Sequence, residues 1–178
     1  MRYRDGMLLW TAVAFAAPLL LQAGDSGGVG FRGESAAGPV VGRLGSFSAT
    51  LDLEAGSGRF EADPTTLSTG FGPRDQRLLV HALETATFPE LRFEVARIDT
   101  EGDATASSRV LTLHGTLLLH GVSAPLSVQA TLEREGERLR VRGEFPLTLA
   151  DFGIPDPSVL VARYASSVTV TFDLTGAP

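Results

Sequence analysis

Few side chains in this chain could do chemistry. Three histidines, His81, His114 and His120, are the candidates for metal ligation or proton transfer. His81 has no second histidine one helical turn away. His114 and His120 fall on the polar face of one strand, six residues apart, which at strand rise is about 20 Å, too far to share an ion. A solvated or turn-stabilising role fits these rings better than a metal site, which needs three or four ligands. The acid pairs Asp99 with Glu101 and Glu133 with Glu135 sit at strand ends and turns. Charge is ordinary there, and neither pair has the histidine or pocket that general acid–base work requires. The chain has no Cys, which excludes disulfides, thiolate zinc sites and a cysteine nucleophile. No Gly-x-Ser-x-Gly elbow, phosphate-binding loop or dinucleotide fingerprint is present. No catalytic residue, metal or cofactor is assigned, and an enzyme is not expected.

The composition bounds what could position such groups. The 178 residues are 43% hydrophobic and 20% charged, with 20 Gly and 10 Pro. That suffices for one domain with a real core. The formal charge is -6 and the 15 basic residues are dispersed, so a nucleic-acid surface is not expected. All the basic residues are Arg, with neither Lys nor Asn in the chain, a composition that points to a GC-rich, bacterial genome.

The first residues read as an address rather than as fold. Arg2 and Arg4 precede an uncharged run from Met7 to Leu21, which ends in the polar stretch Gln22 to Asp25. A basic start, a short apolar run and a small residue before polar sequence describe a secretory signal peptide. The run is shorter than the roughly 20 apolar residues of a transmembrane helix. The expected organisation is a signal peptide over residues 1–23, cleaved after Ala23, and one domain over 24–178, in the periplasm or secreted. An uncleaved N-terminal anchor is the alternative.

From residue 25 onward, short runs alternate apolar and polar residues with period two. Eight candidate strands result: 29–34, 40–54, 59–63, 91–99, 109–120, 126–133, 137–149 and 166–174. One-sided alternation argues for antiparallel pairing with one solvated face, as in an up-and-down barrel or a sandwich. Between Pro73 and Pro89, the residues Leu78, Leu79, Ala82, Leu83 and Ala86 form a stripe at helical spacing. Pro73 suits the start of this helix and Pro89 cannot continue it.

The inward face of these strands carries Phe, Leu and Val and no charge, with small residues at Ala49, Gly115, Ala130 and Gly143. A closed eight-stranded barrel is just wide enough to fill with side chains or to hold one small ligand. Small inward residues would leave volume for an apolar ligand, gained at roughly 0.8 kcal/mol per buried CH2. Equally, the glycines could mark bulges or bends that close the barrel. The pattern alone leaves both readings open.

Three groups of residues then carry a resemblance. Leu67-Ser68-Thr69-Gly70, Arg74-Asp75-Gln76-Arg77-Leu78 and Phe88-Pro89-Glu90-Leu91-Arg92-Phe93 resemble the middle of the YceI-like family. The stretch from Leu113 to Leu126, with His114-Gly115, His120-Gly121-Val122 and Pro125, resembles its hairpin. Asp151-Phe152-Gly153-Ile154 with Pro157 resembles its loop before the last strand. The resemblance spans about residues 29 to 174. It implies an all-β, eight-stranded antiparallel lipocalin-like barrel enclosing a polyisoprenoid or fatty amphiphile, usually in the periplasm. Inward parity together with that barrel gives a candidate ligand-binding set: Phe31, Phe47, Leu51, Phe93, Leu113, Leu117, Phe145 and Phe172. The expected function is carriage or sequestration of an apolar isoprenoid or other long-chain amphiphile. The alternative is an exported structural or interaction module with a filled barrel. The expected partners are an apolar lipid and no nucleic acid, with no stable membrane span after cleavage; a homodimer is left open.

Overall fold

The structure, a computed structural model, describes residues 18–102, 106–155 and 166–177. The basic and apolar N-terminal stretch up to residue 17, with Trp10, lies outside the described residues, as does Pro157 of the last loop. The strands are β1 (Leu19–Ser35), β2 (Gly38–Leu44), β3 (Phe47–Asp52), β4 (Ser57–Ala62), β5 (Leu67–Ser68), β6 (Leu91–Glu101), β7 (Ser108–Leu119), β8 (Val122–Glu135), β9 (Arg138–Thr148) and β10 (Ser167–Gly176). All pair antiparallel, and β10 returns to β1. The closed ring is β1, β3, β4, β6, β7, β8, β9 and β10. It is an eight-stranded antiparallel barrel with one short helical segment.

β2 and β3 behave as one bent strand. Both lie antiparallel to β1, with Gly30↔Arg43 through Ser35↔Gly38 on β2 and Leu19↔Leu51 through Leu21↔Ala49 on β3. The 40–54 alternation is therefore a single barrel stave, bent at Gly45-Ser46. β1 accommodates the bend with extra residues between Ala23 and Gly28, where its register with β10 also shifts. Such a bulge increases local twist and lets a sheet coil shut. On the outside of this seam Arg140 donates to both carboxylate oxygens of buried Asp173, at 2.7 and 2.6 Å. The Asp173 hydrogen bonds, with a weaker one to Glu135, hold the Arg140 guanidinium even further above its ordinary pKa. A carboxylate at 7% exposure needs such a partner to remain ionised.

The expected helix is present but shorter than its stripe. α1 (Gly72–Arg77) starts with Pro73 in its first turn and widens into a π-helical turn over Leu78–Ala82. It stops there because Glu84 takes a left-handed conformation, φ 44°. The amides of Thr87 and Phe88 then bond back to the Glu84 carbonyl oxygen. Ala86 thus falls outside the helix and is exposed.

Two buried clusters divide the interior. One surrounds Leu19, Leu51, Leu111, Val128, Ala130, Leu132 and Leu139. The other joins Ala82 of the helical segment to Leu117, Leu119, Leu147, Phe152 and Ile154. Leu19 and Leu21, from the end of the apolar N-terminal run, are buried in the first cluster at 1% and 6% exposure.

Candidate functional site

Between the two clusters lies a cavity of about 580 Å³, within the usual size range of small-molecule sites. The period-two alternation builds its wall. Leu113 and Leu117 of β7, Val128 of β8, Val141, Phe145 and Leu147 of β9, and Val170, Phe172 and Leu174 of β10 all turn inward. Of the eight residues expected to line a ligand, Phe31, Leu51, Phe93, Leu113, Leu117, Phe145 and Phe172 stand on this wall. Phe47 does not. Its ring packs against Phe60, centroids 5.6 Å apart, and it is Phe60 that reaches the cavity. The bend at Gly45-Ser46 and the β1 bulge place Phe47 over Gly28 instead.

The glycines do not supply the cavity's volume. A Cβ on Gly115 would collide with the Glu94 carbonyl oxygen, and one on Gly143 would lie 2.5 Å from the Gln129 carbonyl oxygen. Neither glycine is on the wall, whereas Ala49 is. Gly115 pairs with Val95 beside the β6 bulge, where the register shifts before Arg97. Gly143 follows the last β8–β9 pair, Thr131↔Arg142, with the β8 backbone still close at Gln129. Both are places of close backbone approach.

The segment after β9 and the helical segment shape the mouth. Leu149–Phe152 forms a 3-10 turn against β8, burying Phe152 and Ile154. The Leu67–Ala82 region closes over the same end. Its entry is tied by Asp75, which accepts from Ser68 Oγ at 2.7 Å, Thr69 N at 2.8 Å and Thr69 Oγ1 at 2.6 Å. The Thr69 hydroxyl, then the Ser68 hydroxyl and the Thr69 amide, hold the Asp75 carboxyl below the usual carboxylate range.

The exit of this cover is held by His120, a residue the sequence marked only as solvated or turn-stabilising. His120 and Gly121 link Leu119 to Val122 with φ of 51° and 72°. Positive φ at both residues is the two-residue hairpin turn that matches strand twist. His120 is 8% exposed. Its Nδ1 donates to the Phe152 carbonyl oxygen at 3.1 Å, and its Nε2 faces Glu84 Oε2 at 3.0 Å. Phe88 lies over the ring at a centroid distance of 4.2 Å. One side chain thus joins the β7–β8 turn, the 3-10 turn and the end of the cover. Asn suits this turn but lacks that reach. In His120→Asn, amide exchange over residues 78–88 should rise at least tenfold while the β7–β8 amides stay protected. Equal loss of protection in both regions would show that the hairpin, not the cover, depends on His120. His114 lies outside the barrel, bridging Asp99 at 3.0 Å and Ser127 at 2.8 Å across three strands.

The YceI-like domain model matches residues 24–176. The chain belongs to the YceI-like family. Among YceI-like relatives, a UPF0312 protein of Pseudomonas syringae pv. tomato is 30% identical over 129 residues, 68% of this chain and 62% of that protein. A second, from Pseudomonas savastanoi pv. phaseolicola, is 32% identical over 111 residues, 58% of this chain and 55% of that one. The chain therefore spans about six tenths of the length of the curated relatives it matches. Among solved structures, a polyisoprenoid binding domain from Saccharophagus degradans, implicated in plant cell wall breakdown, superposes with a TM-score of 0.73. It is 21% identical and covers 90% of this chain and 98% of its own. Burkholderia cenocepacia BcnA superposes with a TM-score of 0.72 at 17% identity, covering 84% and 96%. At these identities the likeness is one of fold.

The polar positions on the YceI-like cavity wall are Glu34, Thr50, Arg59, Arg74, Arg77 and His81. The sequence reading missed Arg74 and Arg77 because its inward parity was drawn on strands alone. Their spacing with Leu78 and His81, in steps of three and four residues, is one helical face and was the available signal. Among the described residues of this wall, no nucleophile is paired with a base.

Proposed function

We propose that this protein carries or sequesters a long-chain apolar amphiphile, an isoprenoid or acyl lipid, in the cell envelope. The observation that carries the reading is the almost wholly apolar cavity of about 580 Å³ inside the barrel. A hydrocarbon chain gains roughly 0.8 kcal/mol per CH2 on leaving water for such a site, and a polar solute would lose its hydrogen bonds. The Saccharophagus degradans neighbour, named as a polyisoprenoid binding domain, supports the same class of ligand. A filled structural barrel is the lesser reading, since its interior would have no such volume.

The envelope location rests on the N-terminal charge and apolar pattern. Cleavage after Ala23 takes Leu19–Ala23 out of β1, with the β1–β3 pairs, buried Leu19 and the wall residue Leu21, and leaves Gly28 to Arg32 on β10 and Gly30 to Ser35 on β2. Protein expressed with its leader in a Gram-negative host and purified from the periplasm should begin at Gly24. Native mass spectrometry should find a lipid adduct of several hundred daltons on it. A clean ligand-free mass would sink the carrier reading, and soluble protein beginning at Met1 or Arg2 would sink cleavage.

A further inference from the structure

We infer that the ligand has an anionic head, a carboxylate or a phosphate, seated at the cavity mouth among Arg74, Arg77 and His81; this rests on the lipid-carrier reading. The three residues lie on one face of the helical segment and all border the cavity. Among the described residues, Arg77 and His81 have no hydrogen bond or ion pair. Arg74 lies over the exposed Phe71 ring at 5.6 Å. Asp75, the neighbouring acid among the described residues, feels the Arg74 charge but spends its hydrogen bonds on Ser68 and Thr69.

The other charges on the wall are already matched. Glu34 accepts from Arg32 at 3.2 Å. Arg59 binds Glu61 at 2.6 Å and lies 3.5 Å from Glu94. In a chain of net charge -6, the mouth of this apolar volume thus presents two guanidinium groups and an imidazole with no ion pair to an acid among the described residues. Guanidinium presents paired N–H donors that match the two oxygens of a carboxylate or phosphate. A neutral hydroxyl head would leave most of these donors to water and gain little from the charge. The apolar chain would run inward from the head toward Leu113, Val128 and Val141, where the wall carries no charge.

The test compares matched heads on matched chains. The full protein, freed of endogenous lipid, is titrated with oleic acid against oleyl alcohol, and with geranylgeranyl phosphate against geranylgeraniol. Each acid should bind about tenfold tighter than its alcohol, the scale of one charge-assisted hydrogen bond, and added salt should narrow the gap. Arg74→Gln/Arg77→Gln should erase the preference and leave the alcohols unchanged, which also reports an intact barrel. Arg138→Gln, an exposed arginine off the wall, should keep it. The acid that binds tighter tells a fatty carboxylate from a prenyl phosphate. Equal binding of acid and alcohol by the native protein, or a preference that survives the double substitution, overturns the inference and leaves the carrier reading standing. Failure of all four probes overturns both.

Discussion

Gly115→Leu unfolds the barrel or destabilises it by about 3 kcal/mol or more, the upper range for forcing a side chain into occupied space. The added Cβ meets the backbone of β6 at Glu94 and the edge of the Phe93 ring. A backbone carbonyl held in a ladder cannot swing aside as a side-chain tip can. The strain must therefore break the Val95↔Gly115 pairing or displace the adjoining bulge. Gly143→Leu behaves similarly, with Gln129 O at 2.5 Å and the Phe172 ring at 2.7 Å from its Cβ. Gly72→Ala is the control. It has ordinary φ and no atom within 4 Å of its added Cβ. Thermal melts should show losses of roughly 6–12 °C or more in Tm for the two Leu variants and little change for Gly72→Ala. A stable Gly115→Leu that had merely lost lipid would mean that the glycine faces ligand volume after all.

Filling the cavity from its true wall has the second largest effect. Leu113 and Val128 are direct cross-strand partners on β7 and β8, and both face the cavity. Leu113→Phe/Val128→Phe places two rings side by side in the space a chain would occupy. Cross-strand aromatic pairs are favourable in themselves, by roughly 0.5–1.5 kcal/mol, and the rings project into open volume, so the barrel should keep its circular dichroism and melt within a few degrees of the parent. Uptake of oleic acid or geranylgeranyl phosphate should fall at least tenfold, because ring and ligand compete for the same apolar volume. Undiminished uptake with a folded barrel would place the ligand elsewhere.

The two experiments separate roles that the residue pattern could not. Alternation shows which way a side chain points, and Gly115 and Gly143 do fall in inward register with Leu113 and Val141. It says nothing of what stands above the residue. That depends on a bulge in β6 and on the close approach of β8 to β9 at Gln129, and both arise from pairing between distant segments. Phe47 fails for a related reason. Its parity with Ala49 and Leu51 is right, but the bend after Leu44 and the β1 bulge turn it onto Phe60 and Gly28. The helical stripe was legible to Ala82 and not beyond, since the left-handed Glu84 is imposed by the His120 contact and the turn to Phe88.

The amino-acid order by itself determined the staves and their faces. The eight period-two runs that became most of β1 to β4 and β6 to β10, the helix start at Pro73 and the charge-free interior are each decided by neighbours within a few residues. Local sterics and burial suffice to set them. Only the tertiary structure decided that β10 closes on β1, that the enclosed space stays open, that glycines serve backbone contact, and that Arg74, Arg77 and His81 meet at its mouth. Those outcomes depend on ring closure and on contacts between residues far apart in the chain. Girth and twist accumulate around the whole sheet, and no local window contains them.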